Sequence, residues 1–105
     1  MRQADLKVTV AAPGRILVAE PLTFQTARRV CEAGIACFAG DDSALITVDC
    51  AGVSEADSAG LAVLIEWRRW AHKQGRHLRF ENLPEKITAI ARLSEVSELL
   101  ANAAA

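Results

Sequence analysis

The sequence has little that would mark an enzyme or a metalloprotein. Gly52 and Gly60 are isolated, so no glycine-rich phosphate-binding loop is present. The three cysteines, Cys31, Cys37 and Cys50, cannot all pair and do not have the spacing of metal ligands. Buried cytosolic thiols are the simplest interpretation. We therefore predict a protein that is not an enzyme, with no catalytic residue, cofactor or bound metal.

Basic clusters and long apolar runs are also missing. The 12 lysines and arginines and 13 acidic residues give a net charge of -1, with no basic block to attract nucleic acid. No uninterrupted apolar run exceeds five residues, whereas a membrane span needs about 20. The first residues, Met1–Asp5, lack the apolar core of a signal peptide. We expect a cytoplasmic protein that reaches a membrane only through a partner.

Apolar residues, in contrast, are abundant, at 51% of the 105 positions. A chain of this length forms one domain and buries about 60–65% of the surface that it exposes when unfolded. We expect one domain over residues 1–105, with its core in about 6–100 and a frayed tail in 101–105. Part of the apolar surface is then left outside the core, available to a partner.

The first third of the chain predicts a β-hairpin followed by a helix. Leu6–Val10 alternates apolar and polar residues, as a half-buried strand does. Pro13-Gly14 predicts a turn, after which Arg15–Glu20 forms the second strand. Thr23 is a suitable N-cap for a helix that runs to about Phe38 and includes Phe24 in its apolar face.

The rest of the chain alternates strands with helices. Its predicted elements are a strand over Ala44–Cys50, a helix over Ser58–Gln74 ended by Gly75, a strand over His77–Glu81, a helix that begins at Pro84 with apolar positions Ile87, Ile90, Ala91 and Leu93, and a short helix that ends near Leu100. The first of these strands is a short apolar run, typical of a strand buried on both faces. This order of strands and helices along the chain predicts an α/β domain, in which a mixed sheet is flanked by about four α-helices.

The helix that begins at Ser58 has a wider apolar arc than a one-sided surface helix needs. The arc consists of Leu61, Val63, Leu64, Ile65, Trp67, Trp70 and Ala71. Either all of these side chains pack on the sheet, or one edge of the arc stays exposed as an interaction surface. In the second case Ile65 and Arg68 are the residues at that edge.

The segment between the central strand and this helix holds the candidate functional residues. Ser58 lies at a helix N-terminus, where unpaired N–H groups and the dipole favour negative charge. It can act as an N-cap or as a phosphorylation switch, and spacing alone does not separate these roles. Asp49 and Asp57 could form an acid or metal pair, although such residues more often cap loops and helices. Neither Cys50 nor His72 has a partner at a catalytic spacing.

The same segment resembles the signature of the STAS family, the sulfate transporter and anti-sigma factor antagonist domains. Val48-Asp49 and then Asp57-Ser58-Ala59-Gly60-Leu61 match the family pattern, and Leu22-Thr23-Phe24 resembles its first helix start. The resemblance covers about residues 6–100 and implies a STAS-like fold that binds partners. When the two residues at the edge of the apolar arc are added to this pattern, the candidate partner-binding or switch residues are Asp57, Ser58, Ala59, Gly60, Leu61, Ile65 and Arg68.

Within that family the chain is most similar to the stand-alone subunits of Mla-type phospholipid ABC transporters. The shared segments are Gly60–Leu64, Ala71–Gly75 and Asn82–Lys86 through Ala91–Leu93. The resemblance implies a regulator of the MlaF-like ATPase, in a complex with an inner-membrane permease that maintains outer-membrane lipid asymmetry. The residue matching Ser58 then lies at the ATPase contact. The alternative is an anti-sigma factor antagonist, in which a partner kinase phosphorylates the residue matching Ser58.

Overall fold

The computed structural model describes residues 7–100 and shows a four-stranded sheet with helices packed on one face. Its elements are β1 (Val8–Ala12), β2 (Arg15–Val18), α1 (Ala27–Ala39), β3 (Leu45–Asp49), α2 (Ser58–Lys73), β4 (His77–Glu81), α3 (Glu85–Leu93) and a 3₁₀ helix (Ser97–Leu100). The strands lie in chain order, with β1 antiparallel to β2 and the others parallel. The predicted α/β class and N-terminal hairpin are confirmed, although the fourth helix is only a 3₁₀ turn.

The hairpin turn is at Pro13-Gly14, as predicted. Gly14 has φ of 78°, a left-handed conformation that favours glycine. Its N–H donates to Asp41 Oδ2 at 2.6 Å, and its carbonyl accepts from Thr47 N at 2.7 Å. The turn is therefore fixed both to β3 and to the segment that follows α1.

The helices within residues 7–100 cover one face of the sheet. Crossover connections between parallel strands are right-handed as a general rule, and a strand order equal to the chain order then places both crossover helices on the same side of the sheet. Ile46 and Val48 of β3 are fully buried beneath them, whereas Leu45 is 48% exposed on the other face. The prediction that this strand is buried on both faces is therefore wrong.

Helix α1 begins later than the sequence predicted. Its first residue is Ala27 and its N-cap residue is Thr26, not Thr23. Thr26 Oγ1 accepts from Thr23 N at 3.1 Å and donates to the carbonyl of Pro21, so these residues form a turn before the helix. Phe24 belongs to this turn and is 83% exposed, instead of lying on the apolar face of α1.

Helices α1 and α2 pack closely through an aromatic contact. Trp67 is fully buried, meets Phe38 edge to face with ring centroids 5.4 Å apart, and donates its indole N–H to the Cys31 carbonyl at 3.0 Å. Gly34 faces the same ring and leaves it room. This glycine, which a propensity argument treats as a weak point of α1, is part of the helix interface.

The end of the described chain folds back on α2. Ile87 and Ala91 of α3 are buried and Ile90 is half-buried, as predicted, but Leu93 is 86% exposed. Leu93 follows Ala91 by two residues, about 200° around the helix, so it faces away from the core. Leu100 is buried at the end of the 3₁₀ helix. The predicted tail at 101–105 and the predicted strand start at Leu6 lie outside the described residues.

Candidate partner-binding site

Three loops meet at the carboxyl ends of the parallel strands, and α2 begins there. Together with the start of α3, these loops line a groove of about 590 Å³ formed by Thr23, Val53, Ser54, Glu55, Ala56, Asp57, Pro84, Glu85 and Lys86. The first residue follows β2, the next five follow β3 and the last three follow β4. This edge is where open α/β sheets carry their binding sites. The structure thus places the sequence-predicted Asp57 and Ser58 at the edge where a site is expected.

Asp57, not Ser58, is the N-cap of α2. Its Oδ1 accepts from Ala59 N at 2.8 Å and from Gly60 N at 3.3 Å, satisfying two N–H groups of the first turn. Its Oδ2 accepts from Phe24 N at 3.0 Å. These bonds, that of Phe24 foremost, lower the pKa of Asp57. The hypothesis that Ser58 serves as the cap is therefore wrong, because Ser58 is the first residue inside the helix.

The loop before α2 is hydrogen-bonded to the loop before α1. Leu22 and Ala56 form a parallel bridge, in which Leu22 N donates to Glu55 O at 2.8 Å and Asp57 N to Leu22 O at 3.0 Å. Gly60 packs against this bridge, since a Cβ there would lie 2.1 Å from the Leu22 carbonyl oxygen. Glycine at this position permits a close approach between α2 and the neighbouring loop.

The exposed side of α2 carries two of the seven candidate residues. Ser58, Ala62 and Arg69 are exposed and Ile65 is half-buried, and we call these four residues the outer stripe of α2. They recur at the spacing of one helix face. Gly60 and Leu61 are buried, and Ala59 is half-buried. Of the predicted residues, Ser58 and Ile65 are thus brought together on an accessible face.

Arg68 lies apart from the outer stripe. Its guanidinium is 4.9 Å from the centre of the Phe80 ring on β4, within the range of a cation–π contact. Burial lowers the pKa of Arg68, although an arginine stays protonated at any physiological pH. The structure therefore gives Arg68 a packing role at the sheet and does not join it to Ser58.

Asp49 and Asp57 serve separate loops and form no acid pair. Asp49 Oδ1 accepts from Ala51 N and from Asn82 Nδ2, both at 2.9 Å, and Oδ2 accepts from Arg15 at 2.9 Å. The Asn82 side chain, the Ala51 amide and the Arg15 charge lower the pKa of Asp49. Each carboxylate has its own donors.

Within residues 7–100 no group of histidine, cysteine and acidic residues is placed to hold a metal, and no helix is long and apolar enough to cross a membrane.

The cysteines and histidines lie outside this site or are buried. Cys50 is buried, and desolvation raises its pKa to about 12, so the thiolate is scarce at neutral pH. Burial also raises the pKa of Cys31 and of Cys37 on α1. His72 and His77 are exposed near the end of α2 and at the start of β4, at the opposite edge of the sheet.

Sequence reasoning missed Phe24 as a candidate site residue. Its amide is bonded to Asp57, so its exposed ring belongs to the same edge as Ser58. The signal in the sequence is Thr26, which follows Thr23 by three residues and is an equally good N-cap. A helix that begins after Thr26 leaves Phe24 in the loop.

Comparisons with known proteins agree with this architecture. A family model described as MlaB, STAS domain, matches residues 8–101. No curated protein sequence matches the chain. The crystal structure of a proposed anti-sigma factor antagonist from Thermotoga maritima is similar, with a TM-score of 0.71 and 13% identity over 91% of this chain and 83% of that chain. At that identity the likeness shows a shared fold. Because the family model spans nearly all of the described residues, the chain belongs to the MlaB-like STAS domain family.

Proposed function

We propose that the protein is the stand-alone STAS subunit of an Mla-type ABC transporter and regulates phospholipid transport by binding the cytoplasmic ATPase. The observation that carries the proposal is the match of the MlaB-type family model over residues 8–101. In this role the subunit is cytoplasmic and is held at the inner membrane through the ATPase and its permease. It contributes to outer-membrane lipid asymmetry through the transporter and performs no reaction of its own.

The geometry of α2 suits a docking role. Because Asp57 supplies the cap, the exposed Ser58 is not needed to cap the helix and is accessible to a partner. Ala62 is small and exposed, so a partner's backbone can approach the helix closely there. Ile65 adds half-buried apolar surface that a partner can cover.

The polar groups near the site support binding over catalysis. Asp57 is committed to the helix cap and Asp49 to its loop, while Cys50 is protonated at neutral pH. A nucleophile needs an adjacent base to activate it. Asp49, Asp57 and Cys50 are each held in a structural role, so we expect no turnover by the purified chain.

Co-expression with the candidate ATPase and permease, followed by size-exclusion chromatography, tests the proposal. We expect the chain to elute with the ATPase and Ile65→Glu to elute apart from it. Leu93→Glu is the matched control, since it places the same charge on an exposed residue of α3. A wild-type chain that elutes alone, while the ATPase complex assembles without it, would overturn the proposal.

The alternative proposal is an anti-sigma factor antagonist that a kinase switches at Ser58. The observation that favours it is the exposed position of Ser58 in the first turn of α2, where the helix dipole stabilises a phosphate. Kinase and sigma-factor genes beside this gene, instead of transporter genes, would support this alternative. Intact mass measured after incubation with that kinase should then show one added phosphoryl group, which Ser58→Ala abolishes.

A further inference from the structure

Phe24 is an exposed aromatic residue on a backbone that is held in place. The residue is 83% exposed, yet its N–H donates to Asp57 Oδ2 at 3.0 Å. The preceding residue, Thr23, donates its N–H to Thr26 Oγ1 at 3.1 Å. Exposed aromatic side chains on fixed backbones are typical interface anchors, because little conformational entropy is lost when a partner covers them.

The two carboxylate oxygens of Asp57 serve two different segments. Oδ1 holds the first turn of α2, and Oδ2 holds the Phe24 amide in the loop before α1. The backbone bonds of Leu22 to Glu55 and Asp57 reinforce the connection. One side chain therefore fixes the position of Phe24 relative to Ser58, the first residue of the outer stripe.

We infer that Phe24 is the anchor by which the chain docks into an apolar pocket of the ATPase, and that Asp57 is its positioning residue. The identity of the partner rests on the proposed function, whereas the positioning is a property of the free chain. The ATPase is the partner that covers Phe24, because Asp57 holds Phe24 at the same edge of the sheet as Ser58, which lies at the proposed contact. Self-association of the chain through Phe24 is the competing outcome.

The positioning role can be measured without any partner. Asp57→Ser keeps one oxygen that can cap α2, but its shorter side chain cannot also reach the Phe24 amide. Amide hydrogen exchange followed by NMR should show at least tenfold faster exchange at Phe24, with unchanged exchange at Leu64 in the middle of α2. Unchanged exchange at Phe24 would overturn the positioning role.

The anchor role is measured as affinity for the purified ATPase. We expect Phe24→Ala to weaken binding about 10- to 30-fold, as loss of an interface anchor does, and Phe24→Leu to weaken it less. Leu93→Ala is the matched control, an equally exposed apolar residue on α3, and should bind as the wild type does. If the wild-type chain fails to bind the ATPase, both the proposed function and the anchor role are overturned. If it binds and Phe24→Ala binds equally well, or if Phe24→Ala only dissociates a homodimer, the anchor role alone is overturned.

A double-mutant cycle tests whether Asp57 affects ATPase binding through Phe24. If Asp57 acts through Phe24, Asp57→Ser weakens ATPase binding severalfold in the wild-type background and less than about twofold in the Phe24→Ala background. Melting temperatures of all three variants identify any loss of folding. Equal losses in the two backgrounds would show that Asp57 affects binding independently of Phe24 and would overturn its positioning role.

Discussion

Gly34 of α1 lies directly against Trp67 of α2, and a Cβ atom at Gly34 would be 2.4 Å from the indole ring. Trp67 cannot yield easily, because it is fully buried, packs edge to face on Phe38 and is hydrogen-bonded to the Cys31 carbonyl. The distance between the two helices is therefore set by the absence of a side chain at this position.

We predict that Gly34→Ala destabilises the protein in spite of alanine's higher helix propensity. Overpacking of a tight interface costs typically 1–3 kcal/mol, more than the roughly 1 kcal/mol that the propensity change contributes. The free energy of unfolding in urea measures the effect. Gly40→Ala is the control, since a Cβ there meets nothing closer than 3.6 Å. A Gly34→Ala variant as stable as the wild type would mean that α1 and α2 can move apart without loss.

The stability of the protein should fall in acid partly because of Asp41. Its carboxylate accepts from Ser43 and from the Gly14 amide, and these bonds lower its pKa from 3.8 to about 2. The unfolded chain therefore binds this proton at a higher pH than the folded one. The stabilisation is complete above about pH 5 and is lost as the pH falls through about 2. Melting temperatures measured between these limits should fall less steeply for Asp41→Asn, with the exposed Asp42→Asn as control.

Most of the fold could be predicted because its signals are local. The turn at Pro13-Gly14, the strand His77–Glu81 and the end of the long helix before Gly75 all follow from the residues at those positions. The exposure of Leu45 could not be predicted in this way. It depends on which face the crossover helices cover, and the apolar run of β3 is compatible with either arrangement.

The sequence predicted where α2 begins but not which residue caps it. The pattern Asp57-Ser58 indicated a helix start, and both residue types cap helices well, so the sequence could not decide between them. The structure decides through contacts that are distant in the chain, since Asp57 is also bonded to Phe24, 33 residues away. The same distant bond holds the Phe24 amide in the turn before α1, and no local rule predicts that bond.

Ile65 and Arg68 should respond differently to the same change of charge. Arg68→Glu removes the cation–π contact with Phe80 and puts a carboxylate beside the sheet, so we expect a loss of stability of about 1–2 kcal/mol. Ile65→Glu lies on the outer stripe and should mainly weaken ATPase binding. Thermal melts and pull-downs of both variants separate the effects. If Ile65→Glu instead unfolds the protein, Ile65 is part of the core and not of the interface.

Asp57 and Ser58 should differ in their effect on folding. Asp57→Ala removes the side-chain acceptor of Ala59 N, Gly60 N and Phe24 N, so we expect the melting temperature to fall by several degrees. Ser58→Ala removes an exposed hydroxyl that is not the cap, and should change the free energy of unfolding by no more than about 0.5 kcal/mol. Thermal denaturation of the two variants side by side checks this order, and a greater loss for Ser58→Ala would return the capping role to Ser58.

Ser58→Asp should separate folding from binding. The helix N-terminus tolerates an added carboxylate, because the dipole there favours negative charge, so the variant should melt at or above the wild-type temperature. At the proposed contact, however, the same charge must lose its water when the ATPase covers it, and an unpaired buried charge costs about 2–5 kcal/mol of binding. A phosphate, with nearly two charges, should cost at least as much. We therefore expect Ser58→Asp to fold normally and lose the ATPase, and Ser58→Ala to bind with little loss. The affinities of both variants for the ATPase test this prediction, with their melting temperatures as control. Wild-type binding by Ser58→Asp would show that Ser58 is not part of the interface.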